Sequence, residues 1–189
     1  MAFDAIMKHL EWIESVGETG EQIHLDRVDM HKFPYDSRVL EQGFFSECNF
    51  CEMAFDSVDF YQSEFYNCDF SNVHFTNCDF RKTTLDYSIF SGAVFENCRF
   101  SRADAFQAVF QNCSFQDCSF VGFNLMECDL RSSVFTSIDF DAAYMDKIKC
   151  DHSIFTDPKN LLSLTHISIV DGEGNIIEGE SAIQRINSK

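Results

Sequence analysis

Cysteine is the residue type in this chain best placed to do chemistry. There are nine cysteines and six histidines, and Cys48-Asn-Phe-Cys51 has the two-residue gap used by zinc ligands and by redox-active dithiols. That chemistry needs both sulfurs to converge on one point. The histidines, at 9, 24, 31, 74, 152 and 166, show no metal-ligand spacing, and each reads as a surface residue. No phosphate-cradling glycine loop and no nucleophile motif occurs. Whether the cysteine pair can converge therefore depends on the element that carries it.

That element has a period of five. Every fifth position from 45 to 155 gives 23 residues, of which 17 are Phe and the others Leu85, Ala105, Leu125, Leu130, Met145 and Cys150. Two residues before each centre the side chain is usually small: Cys48, Cys68, Val73, Cys78, Ala93, Cys98, Ala103, Ala108, Cys113, Cys118 and Cys128 among them. The residue between is commonly Asp, Asn or His, so each triplet reads in-out-in, as a strand does. The next two positions are almost always polar, so the alternation stops and the chain turns. Three-residue segments that turn a corner each time can pair only with the next coil, which makes a β-solenoid with a core of stacked Phe.

Units such as "CDFSN", "CDFRK", "CRFSR" and "CDLRS" resemble the pentapeptide-repeat family, whose loose pattern is A-(D/N)-L-x-x. The resemblance covers about residues 43–157 and reaches back weakly to Ile23. It implies an all-β fold, a right-handed quadrilateral β-helix with four units and 20 residues per coil. Residues 43–157 then make 5.75 coils, a rod of roughly 28 Å at about 4.8 Å per ladder step. Centres 55, 75, 95, 115, 135 and 155 should form one Phe stack, and 60, 80, 100, 120 and 140 another. In the column 45 to 145, Ala105 is the weak point, and Phe123, one coil on, reads as filling the volume that Ala105 vacates.

The ends depart from the repeat. Phe3, Ile6, Met7, Leu10, Ile13 and Val16 recur at helical spacing, predicting an amphipathic helix over 2–16 that covers one open end of the solenoid. Residues 1–20 thus read as an N-terminal capping helix, 21–157 as the β-helix and 158–189 as a C-terminal cap, with "THISIVDGEGNIIEGE" a hairpin. "PYDSRVLEQ", 34–42, reads as irregular, because a regular unit would turn Arg38 inward. "GNIIEGESAIQRINSK" does not read as an apolar helix.

On this frame the cysteines lose their chemistry. Cys48 faces inward and Cys51 outward, so they cannot share a metal or a disulfide without breaking the coil. Cys78, Cys98 and Cys118 share a column at ladder spacing, wider than the ~3.8 Å between Cβ atoms that a disulfide requires. They read as small buried apolar residues. No catalytic residue, cofactor or metal is expected.

Function must then lie on the surface. With 31 acidic and 14 basic residues the net charge is −17, which argues against nucleic-acid and anionic-membrane partners. No apolar run approaches the ~20 residues of a membrane span, and Met1-Ala2-Phe3-Asp4 does not open a signal peptide, so a cytoplasmic protein is expected. The wall and corner of the 45-to-145 column carry Glu47, Glu64, Asp86, Asp104, Glu127 and Asp146 against Lys147. The whole rod sums to −11, or about 0.4 charges per Å, roughly two-thirds the linear density of B-DNA. Tyr87, Ile89, Phe106, Val109 and Met126 gather at one outward corner, an apolar interface candidate. Some members of the family that the repeat resembles mimic B-form DNA and protect DNA gyrase or topoisomerase from quinolones or peptide toxins. The resemblance therefore implies a non-catalytic rod that binds gyrase or topoisomerase through the acidic wall. The other expectation is an interaction module such as an immunity protein that blocks a secreted bacterial toxin, using the apolar corner. A homodimer through one end of the solenoid is a further arrangement the resemblance allows.

Overall fold

In the computed structural model, which describes residues 2–33 and 37–187, each five-residue unit turns the same corner. The residue two after the centre sits in the left-handed region, with φ 52° at Glu47, 54° at Asn67, 59° at Arg102 and 51° at Asp157. Asn tolerates that region better than most side chains, which accounts for Asn67, Asn72, Asn77, Asn97 and Asn112 at these corners. Backbone bonds then run along the rod axis. The N–H of Phe80 donates forward to Arg99 O at 2.7 Å, and the N–H of Asp79 donates back to Val58 O at 3.0 Å. Repetition of this pair of bonds leaves no room for an inserted residue.

The short strands are β1 (His24–Asp26), β2 (Phe44–Ser46), β3 (Ala54–Asp56), β4 (Glu64–Tyr66), β5 (His74–Thr76), β6 (Val94–Glu96), β7 (Ser114–Gln116), β8 (Val134–Thr136), β9 (Tyr144–Ile148) and β10 (Ile154–Thr156). One sheet runs β3-β5-β6-β7-β8-β10, parallel throughout, with Phe55, Phe75, Phe95, Phe115, Phe135 and Phe155 in register. A second begins β1-β2-β4, and isolated parallel bridges continue the same 20-residue ladder on the other sides. The result is a solenoid of about seven turns.

Inside, the rings stack as columns. Phe75 and Phe95 lie 4.9 Å apart at 9°, Phe95 and Phe115 4.6 Å apart at 1°, and Phe135 and Phe155 4.6 Å apart at 6°. The second column departs from expectation. Phe60, Phe80 and Phe100 stack face to face, but Phe120 meets Phe100 edge-on at 79° and Phe140 edge-on at 86°. Phe123 has taken its place: its ring stacks on Phe100 at 5.0 Å and 16°. The extra ring thus displaces Phe120 in the neighbouring column. It enters the stack over Phe100, and Phe120 turns edge-on because two rings cannot occupy one ladder step face to face.

At the N-terminal end, α1 (Ala2–Glu14) lies against the first coil with Ile6 and His9 buried. His9 fastens it. The N–H of Ile23 donates to His9 Nδ1 at 3.1 Å, so Nε2 carries the proton and donates to Glu41 O at 2.8 Å. Burial pushes the His9 pKa below its ordinary 6.5, since protonation at Nδ1 would both desolvate a charge and break the Ile23 bond. A lowered folded value means the unfolded chain binds the extra proton. The stabilisation is complete above pH 6.5 and is lost as pH falls through the lowered value. Amide exchange at Ile23 and in α1 should accelerate on acidification, and His9→Gln should flatten that response. Exchange that is insensitive to pH once intrinsic rates are removed would contradict this assignment.

Of the segment expected to be irregular, 34–36 lie outside the described residues. Ser37–Leu40 forms a 3-10 turn that exposes Arg38 and buries Val39 and Leu40. At the C-terminal end β11 (His166–Val170) pairs parallel with β9 and antiparallel with β12 (Ile176–Glu178), a hairpin around Asp171–Asn175. The tail then forms a helix, α2 (Gly179–Asn187), burying Ala182 and Ile186. Two buried residues in nine give little periodic signal, which is why the sequence does not announce it. No helix among the described residues is long and apolar enough to cross a membrane.

Candidate functional site

The inner shell has a polar duty that spacing alone did not reveal. Where the small residue 23 positions after a centre is Cys, Ser or Thr, its side chain donates to that centre's carbonyl. Thr83 Oγ1 reaches Phe60 O at 2.7 Å, Ser153 Oγ reaches Leu130 O at 2.7 Å, and Cys113 Sγ reaches Phe90 O at 3.0 Å. Cys78, Cys98 and Cys118 do the same to Phe55, Phe75 and Phe95 at 3.5, 3.5 and 3.6 Å. Cys, Ser and Thr thus combine small volume with a donor for buried carbonyls.

Cys48, Cys68, Cys78, Cys98, Cys113, Cys118 and Cys128 are buried free thiols, and Cys51 is half-buried. The neighbouring Cys118 thiol together with burial pushes Cys98 up to about 12, and burial does the same for Cys113. Almost no thiolate exists there at neutral pH, and the thiolate is the nucleophile. Because the Cys78–Cys98–Cys118 column is buried and Cys51 is not, a thiol reagent should modify Cys51 first and that column only after denaturation. Rapid native labelling of that column, read by peptide mass, would contradict the packing. Among the described residues no group of three or more His, Cys, Asp or Glu could hold a metal ion.

On the outer wall the six carboxylates are not equivalent. Glu47 is paired with Arg27 at 2.8 Å, and Glu127 with Gln107 Nε2 at 2.7 Å and Lys147 at 3.7 Å. Asp146 accepts from Ser168 Oγ at 2.6 Å and meets His166 Nε2 at 3.1 Å. The Ser168 hydrogen bond and His166 hold its carboxyl below the ordinary range. Asp146 therefore ties the C-terminal cap to the last coils. Asp86 is turned along the wall to accept the N–H of Phe106 at 2.9 Å, and burial followed by the nearby charge of Asp104 pushes its pKa up. Glu64, beside the Tyr66 hydroxyl at 3.2 Å, and Asp104, beside Asn124 Nδ2 at 3.0 Å, have only neutral partners among the described residues.

Asp86 links this wall to the apolar corner. Tyr87 is 46% exposed and Ile89 40%, while Phe106, Val109 and Met126 are half-buried. The Tyr87 and Phe106 rings meet edge to face at 5.5 Å and 82°. Tyr87 also holds φ 60°, a conformation costly for a bulky side chain and one that sequence spacing did not flag. Glu64 and Asp104 stand one ladder position away on the same wall, paired through the Glu64–Thr84–Asp104 bridges. The corner is thus an aromatic ridge, fixed by a half-buried carboxylate and flanked by acidic side chains.

A second cluster was not read as a unit in the sequence. Arg81 grips Asp79 through Nε at 2.8 Å and its terminal nitrogen at 2.6 Å, and Arg99 meets the same carboxylate at 2.8 Å. Against the penalty of burial, these guanidiniums hold Asp79 below its ordinary pKa. The 20-residue spacing from Asp79 to Arg99 is the signal that could have shown it.

A filled core of stacked rings and parallel 20-residue ladders define a β-solenoid repeat protein. The family model of pentapeptide repeats (8 copies) matches residues 39–72, 63–102, 74–112 and 108–146, more than half of the chain, and the chain belongs to that family. Among solved structures, a pentapeptide repeat protein of the Arabidopsis thaliana thylakoid lumen is similar in fold, with 19% identity over 56% of this chain and 73% of that one and a TM-score of 0.53. QnrB1, a plasmid-mediated fluoroquinolone resistance protein, matches at 18% identity over 74% and 77% with a TM-score of 0.28. Rfr23 from the cyanobacterium Cyanothece 51142 matches at 10% identity over 73% and 80% with a TM-score of 0.34. No curated protein matches the chain.

Proposed function

We propose that this chain is a non-catalytic, cytoplasmic protein-binding rod that works through the wall and corner of the 45-to-145 column. The observation that carries the reading is the Tyr87–Phe106 ridge, held edge to face at 5.5 Å with Asp86 bonded to the Phe106 N–H. Preorganised aromatics within an acidic surround suit a basic protein partner, the rings supplying contact energy and the carboxylates steering the encounter. The most specific partner this favours is a DNA-handling enzyme such as DNA gyrase or topoisomerase, whose DNA groove is basic and would take an acidic rod in place of DNA. A supercoiling assay with ciprofloxacin tests it: the chain should restore gyrase activity that the drug suppresses, and no effect at saturating rod would remove gyrase as the partner.

The same ridge also favours a second reading, a module that neutralises a bacterial toxin. There the aromatic contact would dominate and added salt would matter little. Dimerisation through the C-terminal end, where Leu162 and Ile176 are exposed, is compatible with either.

A further inference from the structure

We propose that the corner bounded by Tyr61, Lys82 and Arg102 is a docking cleft for an acidic peptide segment of a partner protein. The cleft is independent of the partner class inferred for the acidic wall. It is a groove of about 490 Å³ lined by Tyr61, Arg81, Lys82, Arg102, Val121 and Gly122, among others.

Its charge is unlike the rest of the molecule. The chain has 14 basic residues against 31 acidic ones, yet Arg81, Lys82, Arg99 and Arg102 gather on adjacent coils here. Asp79 occupies Arg81 and Arg99. Lys82 and Arg102, 20 residues apart at the same corner, make no ion pair among the described residues. Like charges at ladder spacing repel, and an acidic rod could neutralise them with a single carboxylate. The Lys82 ammonium instead turns to the preceding coil, 2.8 Å from the Tyr61 hydroxyl and 5.1 Å from that ring's centre. Arg81 also lies over the Tyr61 ring at 5.6 Å. Tyr61 is thereby fixed as one side of the groove. Gly122 opens the other, its φ of 65° placing a backbone turn where a larger residue would narrow the groove.

The backbone and the line of the cations favour an extended ligand. Lys82 and Arg102 sit on successive coils, and the corner N–H groups are already used, that of Gly122 by Asp141 O at 2.8 Å and that of Arg102 by Val121 O at 3.0 Å. A single oxyanion would find no backbone donor there and would leave the Tyr61 and Val121 sides of the groove uncontacted. An extended acidic peptide can set successive carboxylates on Arg102 and Lys82 and an apolar side chain between Tyr61 and Val121. Nucleic acid would meet the repulsion of the other three walls.

The test is a fluorescence anisotropy titration of the whole chain with a short labelled peptide of glutamates around one leucine. Saturable binding is expected, weakened at least about tenfold by Lys82→Glu with Arg102→Glu, as for opposed charges at an interface, and absent when glutamine replaces the glutamates. Both side chains are exposed, and if the double variant unfolds, Lys82→Gln with Arg102→Gln replaces it. Equal binding by the variant, equal binding of the glutamine peptide, or no binding would overturn the proposal. So would displacement of the peptide by inorganic phosphate at comparable concentration, which would mark a point-anion site. Sedimentation that shows self-association lost in the variant would overturn it too, by assigning the cleft to a second copy of the chain.

Discussion

Truncating Phe95 to alanine is expected to destabilise the solenoid by about 3–5 kcal/mol, the range for a buried aromatic removed to leave a cavity. Phe95 has no exposed surface and is sandwiched by Phe75 and Phe115 at 4.9 and 4.6 Å. Its edges meet Phe90 at 5.9 Å and Phe100 at 5.5 Å. Each of these rings is fixed in a ladder step by backbone bonds above and below, so the walls of the cavity cannot close. Phe120→Ala should cost less, because Phe123 already supplies the face-to-face contact on Phe100 and can relax into the gap. Urea unfolding followed by circular dichroism gives both values. Because each coil contacts only its neighbours, a shifted or broadened transition is expected rather than a uniform loss. Equal, small effects at the two positions would show that the stack does not bear the load assigned to it.

The second large effect concerns binding. Tyr87→Ser with Phe106→Ser should weaken partner binding by at least about 2 kcal/mol, or some thirtyfold, the scale of central aromatic anchors. The fold should survive, because neither ring belongs to the inner column and the Asp86 bond is to the backbone N–H of Phe106. The acidic contribution needs a more careful variant than its six carboxylates suggest. Neutralising Asp86 would release that backbone N–H, and neutralising Asp146 would loosen the cap held through Ser168 and His166. Glu64→Gln, Asp104→Asn and Glu127→Gln remove charge while sparing both. That triple variant should bind more slowly and lose much of the salt dependence, since flanking charges act chiefly on association. A binding constant unchanged in both variants would move the interface off this wall.

Much of this architecture is legible in the sequence because a solenoid is nearly one-dimensional. A period of five with no insertion fixes which side chains face inward, and the 20-residue coil that the family resemblance implies fixes which of them stack. Phe55 to Phe155 follow from that alone, as does the separation of Cys48 from Cys51. Arg27–Glu47, Asp79–Arg99, Asp104–Asn124 and Gln107–Glu127 are all 20 apart and all in contact, so a check of the columns for complementary pairs would have thinned the acidic wall. Phe123 was harder. Its odd position was visible, but which ring yields depends on packing in the adjacent column, and Phe120 yields. The caps follow no repeat. His166 and Ser168 reach Asp146 through a register shift between Ile167 and Ile169, and α2 buries too few residues to declare itself. The strain at Tyr87 came into view only with the backbone angles.

The most direct test of the binding account is the affinity of the whole chain for purified DNA gyrase, measured at rising ionic strength alongside the serine and triple-charge variants. Saturable binding is expected that weakens steeply with salt, falls about thirtyfold for Tyr87→Ser with Phe106→Ser, and loses much of its salt dependence when Glu64, Asp104 and Glu127 are neutralised. Absence of saturable binding, or variants that bind as the wild-type chain does, would contradict it.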